Sequence, residues 1–285
     1  MIRQLPDLLV EPVVLMALTE DLGRAGDVTG QACIPEGARM CAAFVARKPG
    51  VAAGLACVRL SLLALDPEAE VTVNLHDGDV FEAGAVLAEA EADARAFLAA
   101  ERTALNLLGR LCGVSTLTRA YVDAVAGTGA RIADTRKTTP GLRALEKHAV
   151  QCGGGSNHRF GLDDAILIKD NHVAVCGGVG EAIRRARAAV GHLMKIEVEV
   201  DGLEQLDEAL AERPDVIMLD NFTLPMLREA AARADATPHG RPVLEASGGV
   251  NLETVRAIAE TGVDVISVGA LTHSAPSLDI GLDAL

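Results

Sequence analysis

Aromatic residues are nearly missing: the 285 residues include no Trp, one Tyr and five Phe. Successive nucleobases would find few rings to stack on. Positive charge is also short, with 26 Lys and Arg against 40 Asp and Glu and a formal net charge of −14, which opposes a polyphosphate backbone. Nucleic acid is therefore not an expected partner. The six cysteines, at 33, 41, 57, 112, 152 and 176, form no C-x-x-C pair and show no short Cys/His spacing of the zinc-site kind, so free thiols are expected. Long apolar runs are absent too. No uncharged stretch is long enough to cross a bilayer, and Arg3, Asp7, Glu11 and Glu20 interrupt any signal-peptide core. A soluble, cytoplasmic protein with no membrane partner is the expectation.

What is present is aliphatic, as in buried parallel strands covered by helices. From residue 130 onward, β-rich runs at 130–133, 165–168, 195–200, 215–219, 243–246 and 264–268 alternate with stretches such as GEAIRRARAAVG and LEQLDEALAER. Those stretches carry apolar residues at three-to-four spacing, which predicts helices. Repeated β-α units give parallel strands in a barrel or an open sheet. Each run ends at polar or glycine positions: Arg136 and Lys137, Lys169, Glu199, Asp220, Ser247 and Gly269. Chemistry gathered at carboxyl ends favours a barrel, and six runs suggest an incomplete one. Residues 1–112 read instead as an α+β sandwich domain, with a helix at about 11–22 and short strands near 41–46, 70–74 and 86–91. Residues 113–270 are assigned to the barrel, and the segment 95–126 to one or two long helices.

The densest chemistry is cationic. Residues 134–143 read DTRKTTPGLR, and Arg136, Lys137, Arg143, His158, Arg159 and Lys169 fall within a short span of an acidic chain. A solvated loop paired with surface acids is the plain alternative. A strand-to-helix position, with rigid Arg forks beside mobile Lys charges, favours an anionic ligand. In KIEVEV, Glu197 and Glu199 alternate with apolar residues and so share one side of a strand. Salt-bridged core carboxylates are the plain reading there. Ser247-Gly248-Gly249 and Gly269-Ala270 follow successive late strands, the first ahead of NLETVRAIAE, and resemble phosphate-binding turns.

The order and spacing of DTRKTTPGLR, GGGSNHR, IKDNH, EVEV, MLDNF, EASGGV and VGALTHS, with EDLGRAGDVTG and AERTALNLL earlier, resemble quinolinate phosphoribosyltransferases over nearly the whole chain. Gly30 departs from the pattern, which has a hydroxyl residue after Thr29. The resemblance implies a seven-stranded incomplete barrel and a tail, residues 271–285, that returns to the first domain. It implies that Arg136, His158, Arg159 and Lys169 hold the two carboxylates of quinolinate and that Lys137 reaches phosphoribosyl pyrophosphate. Glu199 and Asp220 would face the ribose hydroxyls and Mg²⁺, with Glu197 a less certain member. The two glycine turns would hold the 5′-phosphate, Thr272 and His273 are lesser candidates, and His172 would buttress the site. Arg102 would enter the active site of a neighbouring subunit, in a homodimer or a higher homo-oligomer. The implied reaction yields nicotinate mononucleotide, pyrophosphate and CO₂ in NAD biosynthesis, with Lys137, Glu199 and Asp220 catalytic. Three alternatives stand beside it: the paralogous protein associated with molybdenum transport, a barrel aldolase using Lys169 as a Schiff-base nucleophile, and a non-catalytic sensor of pyridine dicarboxylates.

Overall fold

The computed structural model describes residues 4–285. They form two compact units. One holds the described residues through Arg119 together with Thr138–Gly154 and Leu271–Leu285, and the other holds Ala120–Lys137 and Gly155–Ala270. The sequence division at residue 112 put Thr138–Gly154 with the barrel, whereas its helix Arg143–Cys152 groups with the first unit.

The first unit is built on a four-stranded antiparallel sheet in the order Ile280–Ala284, Arg39–Ala46, Val86–Asp93, Glu70–Val73. Ala42 pairs with Ala284 and Ala46 with Ile280, so the end of the chain supplies an edge strand. With few rings available, the core uses what it has: Phe44 and Phe97 stack at 6.2 Å and are fully buried. Asp93 opens the long helix Ala94–Ala124, its carboxylate accepting the backbone N–H groups of Arg95 and Ala96 at 3.0 Å each. On this helix Gly113 lets the tail cross, since a Cβ there would lie 2.0 Å from the Pro276 carbonyl oxygen. The first helix runs Asp7–Leu22, earlier than the expected 11–22. Pro12 lies inside this helix, and Pro6 is its N-cap.

The second unit is a six-stranded sheet in the order Arg131–Ala133, Val265–Ser267, Val243–Ser247, Val216–Asp220, Ile196–Val200, Ile166–Ile168. Every neighbouring pair is parallel. Each strand lies within about two residues of its expected run, and the expected helices appear as Val179–Ala189 and Leu203–Glu212. One helix is shorter than its pattern. NLETVRAIAE is helical only over Val255–Ala259, because Asn251 Oδ1 accepts the N–H groups of Glu253 and Thr254 at 2.9 and 3.0 Å and holds the first turn out of the helix. Among the described residues, no helix is long and apolar enough to cross a membrane, and all six cysteines are free thiols.

Candidate active site

The carboxyl ends of the second unit's strands bring acids together. Pleating puts Glu197 and Glu199 on one side of Ile196–Val200, a strand buried at all five positions. Val216–Asp220 runs beside it, and Asp220 ends that strand in register with Ser247. Oxygen atoms of Glu199, Asp201 and Asp220 all lie within 4.8 Å of one another. Such a convergence of anions calls for cations. Lys169 answers part of that need, its ammonium donating to Glu199 Oε2. The Lys169 N–H donates to His172 Nδ1 at 2.9 Å, so His172 fixes the turn that presents the lysine and caps the helix Asp170–Cys176.

The glycine turn is shaped by its neighbour. Asn221 adopts a left-handed backbone at φ 55°, donates its N–H to the Ser247 carbonyl at 2.9 Å, and donates from Nδ2 to Asp220 Oδ2 at 2.7 Å. Gly248 has φ +93°, and a Cβ there would lie 2.1 Å from Asn221 Oδ1. Only glycine fits that turn.

The cations converge on the same strand ends. Arg136 and Lys137 follow Arg131–Ala133, with the Lys137 N–H donating to Thr135 Oγ1 at 3.0 Å. The His158 N–H donates to Asp134 Oδ1 at 2.8 Å, and its Nδ1 accepts the Arg159 N–H at 2.8 Å. That bond places the imidazole proton on Nε2, which faces Glu197 Oε2 at 3.0 Å and Glu245 Oε1 at 3.6 Å. Burial, then Glu197, pushes the Glu245 carboxyl up to about 7, with His158 pulling the other way. Burial and the adjacent Arg136 lower the Arg159 pKa. The Nε atoms of Arg136 and Arg159 are both buried and have no hydrogen-bond partner. Two neighbouring guanidinium groups with orphaned donors are costly unless an anion is their partner.

Many of these groups line one cavity of about 630 Å³, although Asp134, His172 and Asp201 do not. Its cationic wall holds Arg136, Lys137, His158, Arg159 and Lys169, and its other walls hold Glu199, Asp220 and Ser247-Gly248-Gly249. Gly269 and Ala270 are not among its lining residues, nor is Glu197. Ala270 begins the helix Ala270–His273. Arg102 lies in the first unit, on Ala94–Ala124, exposed and 3.8 Å from its neighbour Glu101. Sequence reasoning missed Asp201, Asn221 and Glu245. Asp201 and Asn221 each follow a functional strand by a single residue, which is the one signal that could have found them.

Parallel strands that deliver guanidinium groups, carboxylates and a Gly-Gly turn to a single cavity define an α/β enzyme for small polyanions. The chain belongs to the quinolinate phosphoribosyl transferase family, whose N-terminal domain matches residues 27–112 and whose C-terminal domain matches 114–283. It is 50% identical over 272 residues to the nicotinate-nucleotide pyrophosphorylase [carboxylating] of Mycobacterium leprae, covering 94% of each chain. It is 47% identical over 265 residues to the probable enzyme of the same name from Bacillus subtilis, covering 93% of this chain and 89% of that one. The solved nicotinate-nucleotide pyrophosphorylase of Francisella tularensis superposes with a TM-score of 0.92 at 35% identity, over 100% of this chain and 99% of that one.

Proposed function

We propose that this protein is a cytoplasmic, decarboxylating phosphoribosyltransferase that converts quinolinate and phosphoribosyl pyrophosphate into nicotinate mononucleotide, pyrophosphate and CO₂ for NAD biosynthesis. The observation that carries the substrate assignment is the pair of buried, partnerless Nε donors on Arg136 and Arg159. Quinolinate has two adjacent carboxylates, and bringing such a dianion out of water requires several cations at once. His158 and Lys169 complete the set. The molybdenum-transport paralogue is not favoured, because the close relatives carry the pyrophosphorylase name.

In this reading the quinolinate nitrogen attacks C1 of the ribose, and the C1–O bond to pyrophosphate breaks with its electron pair leaving on the pyrophosphate. Glu199 and Asp220 face the ribose hydroxyls and stabilise the positive charge that develops at C1. Lys137 sits at the pyrophosphate as a mobile point charge. The backbone of Ser247-Gly248-Gly249 receives the 5′-phosphate. Gly269 and Ala270, outside the cavity wall, remain secondary candidates for that phosphate. The new pyridinium nitrogen then stabilises the electron pair left at C2 as the bond to CO₂ breaks, and a proton from water takes the place of the lost carboxylate at C2, so the second step needs orientation, charge balance and a proton rather than a dedicated base.

The oxygen-only set of Glu199, Asp220 and Asp201 suits Mg²⁺, a hard cation that takes few carboxylates and completes its shell with water and phosphate oxygens. When bound, the ion would neutralise charge on the departing pyrophosphate. We read the six-stranded sheet as a seven-stranded incomplete barrel whose last stave is Gly155–His158. The support is a parallel bridge between Ser156 and Ala133 at the sheet's edge, with the Ser156 N–H donating to the Ile132 carbonyl at 2.8 Å. Arg102 is assigned to the active site of a second copy in a homodimer or a higher homo-oligomer.

An assay for CO₂ and pyrophosphate release that requires both quinolinate and phosphoribosyl pyrophosphate tests the assignment. Pyrophosphate release without CO₂, or none of either, overturns it.

A further inference from the structure

The first unit contains a second cluster of ionisable groups that the transferase chemistry does not use. His148 and Cys152 are four residues apart on the helix Arg143–Cys152 and share one of its faces. Asp77 meets them from the turn that follows Leu75. Its Oδ2 lies 2.7 Å from His148 Nε2, and Cys152 Sγ lies 3.5 Å from the same nitrogen. His148 and Cys152 are 4% and 1% exposed, and the Asp77 side chain is 9% exposed. The three donor atoms all lie within 4.8 Å of one another.

A single ring nitrogen holds at most one proton and cannot bond both neighbours at full strength, whereas a cation between the three would serve all of them. Tetrahedral zinc, with bonds of about 2.0 Å to N and O and about 2.3 Å to S, needs its donors roughly 3.3–3.5 Å apart. The S···N separation already fits. The Asp77 oxygen has to withdraw by roughly 0.6 Å. Its partner oxygen, Oδ1, accepts the Leu55 N–H at 3.2 Å, the kind of outer bond that orients a ligating carboxylate.

We propose that Asp77, His148 and Cys152 form a binding site for one borderline-soft divalent cation of the zinc class, with its fourth position open to the adjoining cavity. That cavity measures about 260 Å³ and is lined by Asp77 and His148. A water ligand fits there. On binding, the Cys152 thiol proton leaves and the sulfur lone pair forms the metal bond, while the proton on His148 Nε2 departs or moves to Nδ1. A dication with one carboxylate and one thiolate sums to zero, so no net charge is left buried. Burial keeps the neighbouring thiols Cys57 and Cys112 protonated, their pKa pushed up to about 12. The nitrogen and sulfur donors separate this site from the all-oxygen set of Glu199, Asp201 and Asp220, so the two select different ions. Cysteine spacing gave no sign of it, because the third ligand lies about 70 residues away in the chain.

The test uses the full chain, stripped with a chelator and titrated with Cd²⁺ in excess Mg²⁺. A thiolate-to-cadmium absorption band is expected to grow to one equivalent per chain and to vanish in Cys152→Ser. In the variant lacking the three non-buried thiols, Cys33, Cys41 and Cys176, it should persist unchanged. Zn²⁺ should raise the melting temperature of the wild type but not of Cys152→Ser. His148→Gln, which keeps every thiol, should bind Cd²⁺ at least about tenfold more weakly, so the claim remains exposed even if Cys152→Ser does not fold. No band in the wild type, a band that survives Cys152→Ser, or undiminished affinity in His148→Gln each overturns the proposal.

Discussion

The Lys169 ammonium donates to Glu199 Oε2, joining a cation assigned to quinolinate with a carboxylate assigned to the ribose and its metal. Quinolinate must draw Lys169 away from Glu199, and a dianion can do so because it offers the ammonium a better partner. Once released, Glu199 is available to the second substrate. Binding of quinolinate and of an unreactive phosphoribosyl pyrophosphate analogue should therefore be mutually reinforcing. Lys169 is 46% exposed, so solvent screening holds the coupling near the low end, about 5- to 10-fold. Calorimetric titration of each ligand with and without the other measures it, and Lys169→Met should abolish it. Equal quinolinate affinity in both conditions would contradict the mechanism.

Quinolinate should react and nicotinate should not. Removing one carboxylate leaves guanidinium donors of Arg136 and Arg159 buried and unpaired, a loss of ~2–5 kcal/mol, or roughly 30- to several-thousand-fold in kcat/KM. Comparable turnover of the two acids would remove the basis for the substrate assignment.

Activity should disappear with a chelator and return with Mg²⁺. Glu199→Gln and Asp220→Asn should lower kcat far more than they weaken quinolinate binding, since the proposed mechanism assigns both to the ribose and the metal. Asp201→Asn should behave alike, with a raised Mg²⁺ requirement as its signature. A fall in quinolinate affinity as large as the fall in kcat would place these acids at the wrong substrate.

Glu245 should make stability depend on pH. Its ordinary value is 4.5 and burial beside Glu197 raises it to about 7, so its contribution is fully present below 4.5 and is lost as pH rises through about 7. The gap corresponds to on the order of 3 kcal/mol. Glu197 and Asp134 add to the shift, while His158 opposes it. Glu245→Gln, neutral at every pH, should match the wild type in urea denaturation near pH 5 and exceed it near pH 8.5. Parallel curves for the two proteins across that range would show that Glu245 is not held protonated.

Most of the second unit was legible because its strands obey a simple rule, an apolar run that ends at a polar residue. Val216–Asp220 was found this way and Ile196–Val200 as a β-rich run carrying Glu197 and Glu199 on one side, and of the six cations that charge density singled out, all but Arg143 line the cavity. The helix Leu55–Leu65 was not found. LACVRLSLLAL is apolar on nearly every face, so burial erased the periodicity that marks a helix. Asp201 was missed for a different reason. As a loop acid just past Val200 it looks like any surface aspartate, and only the convergence of neighbouring strands shows it beside Asp220. The glycine turn was read correctly as lying between a strand and a helix, but the helix starts later than NLETVRAIAE predicts, because Asn251 delays it until Val255.

Arg102 should act across a subunit boundary. It stands exposed on the helix Ala94–Ala124, where its only ion pair among the described residues is a loose one with the adjacent Glu101. A symmetric dimer would build two identical shared sites, each taking Arg102 from one copy and Lys137 from the other. Arg102→Ala and Lys137→Ala should each be inactive alone. When the two are refolded together so that subunits exchange, a mixed dimer contains one site carrying both substitutions and one site carrying neither. Random pairing makes half of the dimers mixed, each with one working site of two, so recovered activity should approach about 25% of wild type. An Arg102 that serves its own subunit predicts no recovery, because every site would then hold one damaged residue. If mass measurement confirms mixed dimers and activity stays at zero, the shared site is excluded.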